Sequence, residues 1–227
     1  MEKTLSPETQ AAGIAARLRQ DIVTGRLEFG TKLTLARLEA LYGVGQMPVR
    51  DALRHLQADG LIELSPNRVA RVRQVDFDFV LNLFDIRVAI EAMLTRRAAE
   101  RIRGSDLDRL AAAADAYEDA GAHDVQVVLD ANRAFHSIIY EVAGNAEAAE
   151  ILRRHEQLVT ALWHRHGHSL AQKSASNAEH RQIIVALSSH DVDSAAGFAM
   201  AHAARAKLEL MRKMRATAGA LGKPAVL

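Results

Sequence analysis

Residues 33–73 read LTLARLEALYGVGQMPVRDALRHLQADGLIELSPNRVARVR, and the order of signals in this stretch decides the fold. Thr34 to Tyr42 is a short amphipathic run that breaks at Gly43-Val44-Gly45 and resumes from Gln46 to Leu56, which is helix, tight glycine-bearing turn, helix. In the second helix Val49, Leu53 and Leu56 stand at i, i+4 and i+7 and share a buried stripe, while Gln46, Arg50 and Arg54 follow one another on another face. Pro48 is compatible with a helix that starts near Gln46, because the first turn has N–H groups without intrahelical partners to lose. Asp59-Gly60 ends that helix. Leu61–Leu64, then Ser65-Pro66-Asn67-Arg68, then Val69–Arg73 predict strand, turn, strand. A helix-turn-helix with a basic hairpin behind it is a winged helix.

One face of the second helix packs and the other is free to touch something. Arg50 and Arg54 project from the start and middle of an element narrow enough for the major groove of DNA. Arg68, Arg71 and Arg73 lie on the wing, within reach of phosphates or the minor groove. The pattern alone also allows ordinary solvated arginines on a helical hairpin. A resemblance adds weight to the DNA reading. Gly25-x-Leu27-x-x-Gly30-x-Lys32-Leu33, Leu38, Gly43-Val44, Pro48-Val49-Arg50-Asp51-Ala52-Leu53-Arg54-x-Leu56 and Asp59-Gly60-Leu61 resemble the winged-helix domain of GntR-family transcription regulators over residues 10–73. The resemblance implies operator DNA as partner and Gln46, Met47, Arg50, Arg54, Arg68 and Arg71 as the contacting residues. The chain departs from the family at Gly45-Gln46, where a Ser-Arg pair is common, at Leu35 in place of Glu, and at Val69 in place of a wing glycine.

Composition bounds the rest. With 227 residues, 49% of them hydrophobic, and a formal net charge of +1, this is a globular chain of one or two domains. No apolar run is long enough to span a bilayer and the N-terminus has no signal-peptide core, so a cytoplasmic location is expected. The absence of cysteine excludes disulfides and thiolate metal sites. Residues 1–75 carry eleven Lys and Arg against eight Asp and Glu, and the remainder eighteen against twenty, so the small positive excess sits at the front.

Ile14, Leu18 and Ile22 form an i, i+4, i+8 stripe over Gln10–Thr24, the first helix of the winged-helix domain, which is expected over residues 1–75. From Asp76 onward strand signals are absent. Helices are predicted over Phe77–Ile102 (stopped by Gly104), from a Ser105-Asp106 cap to Ala120, His123–Val142, Ala146–His166, Gln172–Ser189 and Asp191 to about Ala216. The fold class is therefore mostly α: a winged helix-turn-helix with a small β-hairpin, then an all-helical bundle over residues 76–227.

The chemistry of the bundle is carried by histidines. Asn132 and His136 are i, i+4 on one helix, His180 is on a later helix and His202 on the last. Three imidazoles and one oxygen from three helices would suit Zn, or Ni, Co or Mn with waters completing the shell. Spacing alone equally allows four solvated or hydrogen-bonded side chains. Asn132-Arg133-x-Phe135-His136, Gly144-Asn145, Glu179-His180-Arg181-x-Ile183, Ala186-Leu187 and His202 resemble the effector-binding FCD domain of the FadR branch of the same family. That resemblance implies a divalent transition metal, Zn first, on Asn132, His136, His180 and His202. Asn132 stands where an Asp is commoner, and a neutral amide is the weaker ligand.

Such a metal could take a small carboxylate effector directly. Arg87, in a pattern common in the same domain, could grip that carboxylate bidentately or could simply pair with Glu91 at i+4. Trp163 is expected in the core. His164-x-His166-x-His168 reads as an exposed helix end, and His155-Glu156 opens no zinc-protease motif because Val159 stands where the second His belongs. No phosphate loop, nucleophile elbow or di-iron pairing is present, so no enzyme is expected. The expectation is a homodimeric, ligand-responsive transcription regulator, with repression as its sign by analogy. A dimer is expected because one winged helix contacts few base pairs. The rival reading is a metal-dependent small-acid enzyme with an incidental winged helix.

Overall fold

The computed structural model describes residues 7–65, 69–120 and 124–220. The chain divides into two compact units, Met1–Val75 together with Arg154–Arg165, and Asp76–Arg153 together with His166–Leu227.

In the smaller unit the helices are α1 (Pro7–Val23), α2 (Leu35–Tyr42) and α3 (Gln46–Ala58), and the strands β1 (Lys32–Leu33), β2 (Ile62–Leu64) and β3 (Ala70–Val72). The expected stripes are the packed ones: Ile14, Leu18 and Ile22 of α1 and Val49, Leu53 and Leu56 of α3 are all buried, and α1 packs on α3. Each such side chain contributes on the order of 1.5–3 kcal/mol by leaving water. Thr34 caps α2, its hydroxyl accepting from the Arg37 N–H at 3.3 Å. Gly43 closes α2 in the left-handed conformation at φ 65°, its N–H donating to Glu39 O, so the chain turns sharply into α3. The Tyr42 hydroxyl donates to Asp21 and Arg19 pairs with Asp59, fastening the ends of α2 and α3 to α1.

The sheet is antiparallel in the order β1-β3-β2, with Ile62 opposite Val72, Leu64 opposite Ala70, and Lys32 opposite Arg71. The hairpin was expected; β1 was not, since two residues are too few to show an alternation.

In the larger unit α4 (Phe77–Ala99), α5 (Gly104–Asp119), α6 (Val125–Ala143), α7 (Ala146–His166), α8 (Leu170–Ser188) and α9 (Val192–Ala220) follow in order, the middle of α7 counting with the smaller unit. Asp76 caps α4 through Phe79 N–H, and Gly144, at φ 64°, closes α6. Most helix ends differ from expectation by one to a few residues, and two of the differences have a physical reason. The first is that α4 ends at Ala99, because buried Ile102 belongs to the turn beyond it and extends the apolar signal past the helix. The second is that Gly104 opens α5 rather than stopping α4: the N-cap is Arg103, whose N–H donates to Asp106 Oδ2 at 3.2 Å.

Leu94 and Ala98 of α4, Leu110 of α5, Phe135 and Ile139 of α6, and Ile183 and Leu187 of α8 meet in one core with Ala195 of α9. α4 lies along α9, and α8 packs against both α5 and α9. Inner-face residues of α6, α8 and α9 thus share one core. No helix among the described residues is long and apolar enough to cross a membrane.

Candidate metal centre and nucleic-acid interface

On α3 the polar face is open. Gln46 and Arg54 are exposed, Met47 is 64% exposed, and Arg50 is half-buried. Arg50 donates to Gln46 Oε1 at 3.2 Å and Arg54 to Asp51 at 3.1 Å, partners on their own helix that a surface charge gives up at little cost. On the wing, Arg71 is exposed but its guanidinium donates back to Gly30 O at 2.5 Å. Arg73 donates to Gly60 O at 2.6 Å and lies 3.5 Å from Glu63. These two hold the wing to its base. Arg68 lies outside the described residues.

The three histidines singled out from three helices converge. His136 (α6), His180 (α8) and His202 (α9) are all buried, and their ligand nitrogens lie within 4.8 Å of one another. His136 Nε2 and His202 Nε2 are 3.3 Å apart. Two imidazole nitrogens face each other at that range only with a proton or a cation between them. Tetrahedral zinc with Zn–N near 2.0–2.1 Å sets its ligand nitrogens about 3.3–3.4 Å apart.

His180 is wholly buried, stacked on Phe135 (centroids 4.1 Å, planes 19° apart) with Tyr117 at its edge. Both its ring nitrogens are buried with no hydrogen-bond partner among the described residues. A buried polar group in that state costs on the order of 1–3 kcal/mol, which a metal ion would remove. Burial first, then the cost of adding a positive charge next to two further imidazoles, pushes His180 well below the ordinary imidazole value. His136 is pushed down likewise by burial, by His202 and by Arg87. Both rings are thereby neutral, the form in which imidazole ligates a metal.

His202 is held from behind. Its Nδ1–H donates to Glu179 Oε2 at 2.7 Å, so in the neutral ring Nε2 carries the lone pair and faces His136. Arg205 grips the same carboxylate, Nη2 on Oε2 at 2.7 Å and Nε on Oε1, and also donates to Ser176 Oγ at 2.7 Å. Burial alone would raise the Glu179 carboxyl, but the bonds from His202 and Arg205 hold it at about 2. Sequence reasoning missed this outer set. Glu179 precedes His180 but serves His202, because consecutive residues on a helix point about 100° apart. The available signal was a pair of matched i, i+3 spacings, Ser176 with Glu179 on α8 and His202 with Arg205 on α9.

Asn132 is half-buried one turn before His136, on the side of α6 that carries that ligand. Arg87 pairs with Glu91 at 2.7 Å, the partner its spacing had offered, and its charge reaches His136. Trp163 is buried as expected. His164, His166 and His168 are half-buried rather than exposed; His166 Nδ1 meets Thr217 Oγ1 at 3.1 Å, and burial with the Lys213 charge lowers His168 to about 4.

Residues 10–72 match the family described as bacterial regulatory proteins, gntR family, and residues 82–217 match the FCD domain. The "Probable D-xylose utilization operon transcriptional repressor" of Paenarthrobacter nicotinovorans is 31% identical over 151 residues, 63% of this chain and 64% of its own length. The HTH-type transcriptional repressor RspR of Escherichia coli K12 is 37% identical over 93 residues, 41% of either chain. The chain thus spans less than two thirds of the length of these relatives. Among solved structures, Lar, which controls the expression of the Listeria monocytogenes agr system, has the same fold: TM-score 0.68 at 21% identity, over 93% of this chain and 99% of Lar.

Proposed function

The chain belongs to the GntR family of bacterial regulatory proteins and carries an FCD domain, and we propose that it is a homodimeric transcription repressor that senses a small carboxylate through a bound divalent metal. The observation that carries this reading is the convergence of three buried imidazoles, one of them with two ring nitrogens lacking any hydrogen-bond partner among the described residues. The neutral state of His136 and His180 and the 3.3 Å nitrogen separation support zinc first, with Ni, Co or Mn as substitutes.

In this reading His136, His180 and His202 hold the ion with Asn132, and the ion supplies a Lewis acid to which a carboxylate binds directly. Arg87, oriented by Glu91, takes a second oxygen of the effector. Gln46, Met47, Arg50 and Arg54 of α3, with Arg68 and Arg71 of the wing, contact the operator. Two copies read two half-sites, and effector binding changes operator affinity by the coupling energy between the sites, typically about 1–3 kcal/mol. An enzymatic reading finds no support in the matched families or the relatives named above, which are regulators.

The test is elemental analysis of untagged protein, followed by operator titrations with and without the metal and a panel of small carboxylates. About one metal per chain, and a carboxylate that shifts operator affinity only when the metal is present, is the expected result. Protein that retains no metal and takes up none overturns the metal-sensing reading.

A further inference from the structure

A histidine ligates through one ring nitrogen, and which one is available depends on where the proton of the neutral ring sits. At His202 two arrangements are chemically open. With the proton on Nε2 the lone pair points away from His136 and His180 and the ring cannot join them. With the proton on Nδ1 the lone pair is on Nε2, 3.3 Å from His136 Nε2. Nothing in His136 or His180 selects between these, since His180 makes no hydrogen bond among the described residues and His136 meets His202 through the nitrogen at issue.

The selecting group comes from the other side of the ring. Glu179 Oε2 lies 2.7 Å from His202 Nδ1, and an ionised carboxylate accepts and never donates. Its own position is over-determined: Arg205 occupies both carboxylate oxygens in a fork and reaches Ser176 with the same guanidinium. The chain His202–Glu179–Arg205–Ser176 therefore runs from the imidazole back and forth between α9 and α8. Tyr117 of α5 packs against His180 in a T-shaped contact, ring centroids 5.0 Å apart.

We infer that Glu179 is a positioning residue for the metal centre: by accepting from Nδ1 it fixes His202 in the tautomer that presents Nε2, with Arg205 and Ser176 keeping the carboxylate in place. The inference rests on the metal reading above, and it adds residues that the ligand set does not contain. Partners of this kind, one bond removed from a metal, typically contribute about 10- to 100-fold in affinity.

The experiment uses the full chain and zinc ion as the probe, in competition with a chromophoric chelator, beside nitrogen NMR of the His202 ring in the metal-free protein. The parent is expected to show the Nδ1-protonated tautomer, and Glu179→Ala a mixture of tautomers with zinc affinity down about 10- to 100-fold. Because that variant leaves Arg205 as an uncompensated cation near the site, Glu179→Ala combined with Arg205→Ala is measured too, and the same loss is expected with the charge balanced. In a His202→Ala background, removing Glu179 should change zinc affinity no further. A parent that binds zinc, with Glu179→Ala matching it in affinity and in His202 tautomer, overturns the inference. A parent that binds no zinc defeats the metal reading instead, and the tautomer comparison in the metal-free protein still decides whether Glu179 sets the ring.

Discussion

The two surfaces proposed to work in this chain are built on opposite plans. On α3 the polar residues fall within nine positions, stand in or near solvent, and take their partners from their own helix: Gln46 for Arg50, Asp51 for Arg54. In the helical unit the imidazoles are buried, and the facing nitrogens of His136 and His202 lie 66 positions apart in the chain. The partners there come from other helices, as Glu179 of α8 does for His202 of α9. The difference predicts how each surface fails. Exposed groups that act singly should lose function in increments, whereas buried groups that share one ion should fail together.

The largest effect is expected at His180. Its replacement by alanine should remove zinc binding by more than about 100-fold while leaving the operator affinity of metal-free protein unchanged, and combining it with His136→Ala should add little. A loss that simply summed over the two variants would break the contrast. Next in size is Arg50→Ala, expected to weaken operator binding by about 10- to 100-fold and relax sequence preference, with zinc affinity untouched. Equal operator and nonspecific affinities before and after the change would sink the assignment of the recognition face.

The smallest effect separates burial of a histidine from ligation. Burial lowers His168 to about 4, from an ordinary 6.5, and this residue stands outside the triad. Between those values the unfolded chain takes up a proton that the folded chain refuses, so stability falls as pH drops through that window and is unaffected above it. Solvent reaches the half-buried ring and screens it, so the contribution at the acid end is on the order of 1 kcal/mol. In chelator-treated protein, His168→Asn should therefore flatten the decline of the urea midpoint between pH 7 and 5, with zinc affinity at pH 7 unaltered. An unchanged slope would show that His168 does not carry it.

The same contrast explains what could be read in advance. The winged helix is written in adjacent residues, so Gly43 at the turn, the Val49-Leu53-Leu56 stripe and the arginines opposite it identify one another. The helices of the larger unit were visible from their stripes and caps, within a few residues at the ends. The triad could be named only through resemblance, because three side chains on three helices have no local signature, and packing is what brings them together. The outer set was harder still. Glu179 looks like a companion of its neighbour His180, and only the direction of successive side chains on α8 sends it to His202 instead.

Strand β1 has a consequence in the language of alleles. Gly30, just before it, stands at φ 78°, donates its N–H to Val72 O and accepts from Arg71, so both of its backbone groups serve β3 of the wing. Any side chain there is strained by the backbone and meets the end of Gln74. A screen for chains that no longer hold their operator would then collect changes at Gly30 among those at the arginines, although glycine has no side chain to offer a base. Such a mutant would map 41 positions upstream of Arg71 and be scored as a contact. Its lesion would lie in the wing's attachment, and its metal binding would be intact.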